Sequence, residues 1–269
     1  MDLPSLFIAV SHSAIGDVLQ QLCLYLGYIY VCGGSGQTDG PFFLDFWRVN
    51  LRTTDGWQQL PMFDRTSNLD LTECGFAIRG HLAFFFEGSL DLQVFNLEKS
   101  RWFKLSTTFQ PDQFMKYCFP NSRLRKFAIQ CVNGRIYVFG GKNMESLLGC
   151  DLLLELDLVT RQWRRISGSY PSPKASFAGP GPRVGACSWV NPDKSKIFIM
   201  NGHADLLQAG AMGQYVPSEN HMYDDIWSWD LAEKRWTKEK SHGNRPAPRS
   251  EMAAIYVRIA IFAVSHSDY

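Results

Sequence analysis

"GRIYVFGGKN", Gly134 to Asn143, runs from strand-forming residues into two glycines and a lysine. A strand that ends this way can be a phosphate cradle, because backbone N–H groups and an ammonium then converge on an anion. It can also be the close of a buried strand in a repeat, where glycine allows conformations and approaches that a Cβ blocks. A phosphate loop requires G-x-x-x-x-G-K-[S/T] with a helix after it. Here Lys142 is followed by Asn143, and the next apolar residues lead into another strand. The pattern argues against a nucleotide site.

A repeat must show copies. "GYIYVCGGSG" (Gly27 to Gly36) matches closely and ends in Gly33-Gly34. "GHLAFFFEGS" (Gly80 to Ser89) is a weakened copy with Glu87-Gly88, and "SKIFIMNGHA" (Ser195 to Ala204) another with Asn201-Gly202. The pairs begin at 33, 87, 140 and 201, spaced 54, 53 and 61 residues apart.

A second feature follows each pair. Asp45-Phe46-Trp47 leads to Trp57, "DLQVFNLEKSRW" ends at Trp102, "DLLLELDLVTRQW" at Trp163 and "DDIWSWDLAEKRW" at Trp236. An acidic start, alternating apolar residues, Asn/Asp-Leu, a polar turn and a tryptophan make a hairpin. Pro182-Arg183 and Pro248-Arg249 precede strands in the same way. Each unit therefore reads as four short antiparallel strands, the unit of a β-propeller blade.

With Gly33-Gly34, Gly140-Gly141, the weakened pairs ending in Gly88 and Gly202, and Trp57, Trp102, Trp163 and Trp236, the chain resembles the kelch-repeat family over about residues 21 to 264. The expected fold is all-β: a kelch-type propeller with four full blades and a partial fifth, as a five-bladed or incomplete ring. The partial unit begins at Pro248 and carries two strands, about Glu251 to Tyr256 and Arg258 to Val264, with no glycine pair after them. Kelch propellers generally have five to seven blades, so the chain departs from the family pattern. Residues 21–269 read as one propeller domain. Residues 1–20 read as a separate segment, in which Leu6 to Val10 is a candidate closing strand and Ala14 to Leu22 shows helical spacing.

The bulk numbers agree with a globular binding protein. Of the 269 residues, 45% are hydrophobic and 20% charged, and 27 basic against 26 acidic residues leave a formal charge of +1. That balance argues for neither nucleic acid nor an anionic membrane. Seven widely spaced cysteines without C-x-x-C read as buried small hydrophobes in a reducing compartment. The expected location is cytoplasmic, with the nucleus also open to the chain, and not secreted.

No cofactor and no catalytic residue is expected, and no G-x-S-x-G elbow occurs. His203, Asp205, His221, Asp224 and Asp225 flank one long loop and are the one set that could converge on a metal, but without tight ligand spacing no metal is assigned. The resemblance implies scaffold, adaptor or cytoskeletal roles, and a non-catalytic module binding another protein is the main expectation. Two alternatives stay open: a metal-dependent or small-molecule activity in the central channel, as in galactose-oxidase-like propellers, and a truncated propeller fragment.

Loops of a propeller emerge at two ends, and length here concentrates at one. The stretch Gly202 to Met222 reads as its longest loop, either packed down or presenting an anchor. Arg183, His203, Asp205, Tyr215 and Arg249 are the candidate partner contacts, the two arginines having an alternative reading as braces for the blade connections.

Overall fold

The computed structural model describes residues 21–33, 43, 45–53, 55–62, 74–112, 119–143, 150–168, 179–209, 215–241, 243, 247–248, 250, 253–257 and 260–264. Blade I comprises β1 (Gln21–Tyr25), β2 (Tyr28–Cys32), β3 (Phe46–Asn50) and β4 (Trp57–Gln59), paired in that order. Blade II has β5 (Gly75–Arg79), β6 (Leu82–Phe86), β7 (Leu92–Asn96) and β8 (Arg101–Leu105). A short strand, β9 (Thr108–Phe109), then crosses to the next sheet. Blade III has β10 (Ala128–Val132), β11 (Arg135–Phe139), β12 (Leu153–Asp157) and β13 (Gln162–Ser167), with β9 added parallel on its outer edge. Blade IV has β14 (Cys187–Val190) and β15 (Lys196–Met200), then an inserted hairpin of β16 (His203–Ala209) and β17 (Tyr215–Met222), then β18 (Ile226–Asp230) and β19 (Arg235–Glu239). A fifth sheet holds β20 (Ala253–Val257) and β21 (Ala260–Val264).

Turn chemistry produces these meanders. Leu26-Gly27 and Asn133-Gly134 join first to second strands with positive φ at both positions, as two-residue hairpins require. Third and fourth strands are joined by turns whose last residue, Ser100, Arg161 or Lys234, is left-handed. The repeated Asn/Asp before leucine caps these turns. Asn96 Oδ1 accepts from the N–H groups of Glu98 and Lys99, Asp157 Oδ1 from Val159 and Thr160, and Asp230 Oδ1 from Ala232 and Glu233, at 2.8–3.1 Å.

The inner strands form a closed circuit. β1 neighbours β5, β5 neighbours β10, β10 neighbours β14, and β20 lies against both β14 and β1. The thin fifth sheet thus closes the ring. The proposed closing strand Leu6 to Val10 lies outside the described residues, as does most of the stretch with helical spacing. Leu22, its last member, belongs to β1.

One row of residues crosses each blade in the same register. In blade II it is Ile78, Ala83, Phe95, Trp102; in blade III Cys131, Ile136, Leu156, Trp163; in blade IV Val190, Ile197, Trp229, Trp236. Each row presses on the preceding blade. Trp102 meets Phe46 of blade I, Trp163 meets Phe86 of blade II, and Trp236 meets Phe139 of blade III, at centroid distances of 6.4, 5.0 and 5.3 Å. The three hydrophobic clusters are these seams. The matching row of blade I is Leu24, Ile29, Val49, Trp57, and here the tryptophan is 51% exposed.

Trp163 is fully buried. Trp163→Ala is expected to cost about 3–5 kcal/mol, through lost burial and the cavity left. Trp57→Ala, at the same repeat position, should stay within about 1 kcal/mol, as surface substitutions do. Urea denaturation midpoints of the two variants check the contrast.

Candidate functional site

The glycine-pair end of the propeller is built from the ends of the second strands and the segments leading into the next first strands. All three N–H groups of the Gly140-Gly141-Lys142 turn are taken by protein carbonyls. Gly140 donates to Leu152 at 2.9 Å, Gly141 to Arg183 at 2.7 Å and Lys142 to Arg125 at 2.9 Å. No cradle for phosphate is left in this turn. The glycines serve close approach instead. A Cβ on Gly140 would lie 2.5 Å from the Arg183 carbonyl oxygen, and one on Gly141 2.5 Å from that of Arg125.

This geometry explains the weakened copies. At the second position of the pair, Gly88 and Gly202 also have positive φ and also meet backbone, of Leu124 and Val184. The first position is more tolerant. Asn201 adopts a left-handed conformation that asparagine accepts. Glu87 instead receives Arg123, whose Nε donates to the Glu87 carbonyl at 2.6 Å and whose Nη2 lies 3.4 Å from its carboxylate. Gly33 is left-handed as well, while Gly34 lies outside the described residues.

Arg183 is a brace in this geometry rather than a surface contact. Its side chain is 0% exposed. Nε and Nη2 donate to the Pro180 carbonyl at 2.9 and 2.7 Å, and Nη1 donates to that of Asn201 at 3.1 Å. Nη2 pairs with Asp225 Oδ1 at 2.7 Å, and the guanidinium lies 4.0 Å over the Tyr223 ring. The lead-in to β14, the end of β15 and the start of β18 are thereby tied together. Asp225 is further held by Lys238 at 3.2 Å and by the Trp227 indole N–H at 2.8 Å. Burial pushes the Asp225 carboxyl up, but Arg183 and these donors outweigh it and hold it below the ordinary carboxylate value.

Directly above this brace, Gly202 to Met222 is a hairpin where the sequence read as a loop. β16 and β17 pair with a bulge between Asp205 and Leu207. At the base, His203 and Val184 exchange backbone hydrogen bonds of 2.9 and 2.7 Å, and half-buried His203 sits opposite Met222. Asp205 sits opposite Asn220 and Tyr215 opposite Ala209, so the register lines up three of the five candidate contacts along one insertion. His221 is exposed and makes an edge contact with Tyr223 at 4.6 Å. Arg249 lies outside the described residues. The signal that was missed is the near-equal spacing of the two arms about the Gly210–Gly213 segment.

Asp225 of the candidate metal set is engaged by Arg183 and Lys238, and among the described residues no three His, Cys, Asp or Glu side chains are placed to share a metal. Burial pushes the Cys23 and Cys187 thiols up to about 12 and that of Cys131 to about 11, so near neutral pH they are protonated and weak nucleophiles. Among the described residues no helix is long and apolar enough to cross a membrane.

Two outcomes test this site. Gly140→Ala should destabilise by more than about 1 kcal/mol, since φ of +69° and the Arg183 carbonyl both oppose a Cβ. Arg183→Ala should cost about 3–5 kcal/mol by leaving Asp225 without its buried partner. Because the folded Asp225 carboxyl is depressed, its contribution is present above the unfolded carboxyl's titration and is lost as pH falls through the folded value. Asp225→Asn should therefore flatten the acid limb of the stability–pH curve, read from melts between neutral and acid pH.

The family model described as the KLHDC2/KLHL20/DRC7 Kelch-repeats domain matches residues 19–265. Kelch domain-containing protein 10 of Xenopus tropicalis is 25% identical over 251 residues, covering 77% of this chain and 58% of that protein. The protein of the same name in Homo sapiens is 26% identical over 189 residues, covering 63% of this chain and 40% of its own length. The Rho GTPase-activating protein gacHH of Dictyostelium discoideum is 25% identical over 139 residues, covering 51% of this chain and 8% of its own length. The chain thus spans just over half the length of the first of these relatives. The four blades with their glycine turns, and a family match running through all of them, place the chain in the Kelch-repeat family.

Proposed function

We propose that this chain is a non-catalytic protein-interaction module that engages a protein partner through the glycine-pair end of its propeller, with the β16–β17 hairpin as the main contact. The observation that carries the reading is the hairpin itself. An insertion between the second and third strands of one blade adds nothing to that blade's sheet. It is nevertheless held at its base by the His203–Val184 pairing, and the Arg183–Asp225 brace fixes the strands on either side. A rigid scaffold carrying one anchored protrusion is a common arrangement for recognition. His203, Asp205 and Tyr215 are the proposed contacts. Arg183 acts beneath them by holding the frame, and Arg249, at the matching sequence position ahead of β20, is assigned the same supporting role. Kelch-repeat membership supports a scaffold or adaptor role, and a cytoplasmic or nuclear setting for it is part of the proposal.

Deleting Asp205 to Glu219 and joining the ends with a short glycine linker tests the reading. Affinity capture from native cells should lose the partners recovered by the intact chain, while the melting transition stays close to that of the parent. Unchanged recovery by the folded deletion variant would overturn it.

A further inference from the structure

The two ends of the propeller differ in charge. Opposite the glycine pairs lie the turns that join first to second and third to fourth strands. In blades I to IV these eight turns, with the strand residue on each side, hold ten Lys or Arg and six Asp or Glu, leaving 17 against 20 for the rest of the chain. The formal charge of +1 conceals a basic end.

Half of the acids there are engaged with turn groups. Asp157 Oδ1 accepts from the Val159 and Thr160 N–H groups, Asp230 Oδ1 from those of Ala232 and Glu233, and Asp193 Oδ1 from the Ser195 N–H and hydroxyl. Cations lie across the inner turns. Arg52 Nε comes 3.5 Å from where a Cβ on Gly27 would stand, and Arg79 Nη1 3.3 Å from one on Gly134. Asn133 Nδ2 donates to the Lys194 carbonyl at 3.0 Å and joins the inner turns of blades III and IV. Arg52, Arg79 and Lys194 are all exposed.

Two apolar side chains stand on the same end. Leu26 is 78% exposed and Val159 86%, and no other large apolar side chain among the described residues passes 51%. The fold asks for neither. Asn133 of blade III holds the place of Leu26, and Glu98 of blade II and Ala232 of blade IV hold that of Val159. Leu26 is also left-handed, with φ of 48°, a conformation that asparagine accepts and leucine resists. An exposed leucine in a conformation that opposes it, with Arg52 across its turn, is explained by a partner that takes an apolar tip and a cation together. An anionic lipid surface does both: its headgroups take the guanidinium and ammonium groups, and the acyl boundary takes the aliphatic tips. A purely acidic polypeptide or a nucleic-acid backbone would engage the cations but offers nothing to the two tips.

We propose that the end opposite the glycine pairs docks on an anionic membrane surface, with Arg52, Arg79 and Lys194 on the lipid headgroups and Leu26 and Val159 set into the interface. The glycine-pair end then faces away from the bilayer. The expectation drawn from net charge alone, of no membrane partner, gives way to the division between the two ends. This docking does not depend on the reading of the glycine-pair end.

The probe is a vesicle of phosphatidylcholine with one third phosphatidylserine. The intact chain should sediment with it, far less with pure phosphatidylcholine, and less as salt is raised. Arg79→Gln and Lys194→Gln should each weaken binding about fivefold, as for a basic residue near a charged bilayer. Leu26→Asn should weaken binding at unchanged charge while melting at or above the parent's temperature, since asparagine suits the turn. Val159→Asn should weaken it as well. Absence of sedimentation with the anionic vesicles overturns the proposal. So does binding indifferent to Leu26→Asn and Val159→Asn together, which would leave only loose attraction between charges. Binding of soluble polyglutamate or of RNA through the same cations, with vesicles left unbound, would assign the face to an acidic protein or a nucleic acid and also overturns it. Deleting Asp205 to Glu219 should leave vesicle binding intact; loss of binding there would move the lipid contact to the other end and overturn the proposal.

Discussion

The apolar row that crosses each blade, from innermost strand to outer tryptophan, contributes nothing to a blade standing alone. Its value appears only when a second sheet covers it. Trp163 against Phe86 and Phe119, or Trp236 against Phe139, is a contact between units about one repeat apart in the chain. The sheets are held flat against each other by these rows, and the rest follows. The glycine turns let the next lead-in segment approach, and the Asx-capped turns return the outer strand in the register that points tryptophan at its neighbour. Removing the cover leaves the row's outer end in water, which is the condition of Trp57.

Seams of this kind also order the polar groups at the glycine-pair end. Arg183 is buried because a lead-in carbonyl, the carbonyl at the end of β15 and the start of a third strand converge there, and the guanidinium satisfies them together. A charge in that position is costly unless it is paired and fully hydrogen-bonded. Arg123 performs a smaller version of the task at Glu87, on the side where the repeat has lost its first glycine.

Features with local causes were legible in the sequence. The second position of a glycine pair is both left-handed and crowded by backbone and so needs glycine, a strand in a sheet alternates, and an outer strand that seals a seam carries tryptophan, so four blades could be counted from "FGGKN" and its copies. Three things were not decided by the sequence. Arg183 stood between partner contact and brace because its burial depends on Asp225 and Tyr223, about 40 residues further on. The hairpin at 203–222 looked like a loop because Pro217 and a bulge interrupt the alternation that would reveal strands. Closure of the ring rests on β20 touching both β14 and β1, a contact between chain ends that no local pattern encodes.

The small strand β9 gives the ring a mechanical asymmetry. Leaving blade II, the chain runs along the edge of blade III, with the Thr108 N–H on the Arg161 carbonyl at 3.0 Å and the Gln110 N–H on that of Trp163 at 2.8 Å. The seam between these two blades is thus stitched by main-chain bonds in addition to its apolar filling. On the side of blade I that faces the fifth sheet, the outer tryptophan, Trp57, is half exposed. A pull applied across the ring would spread it there first, while blades II and III move as one piece. In mechanical terms the molecule is a clasp, stiff on the side of β9 and compliant on the side of β21.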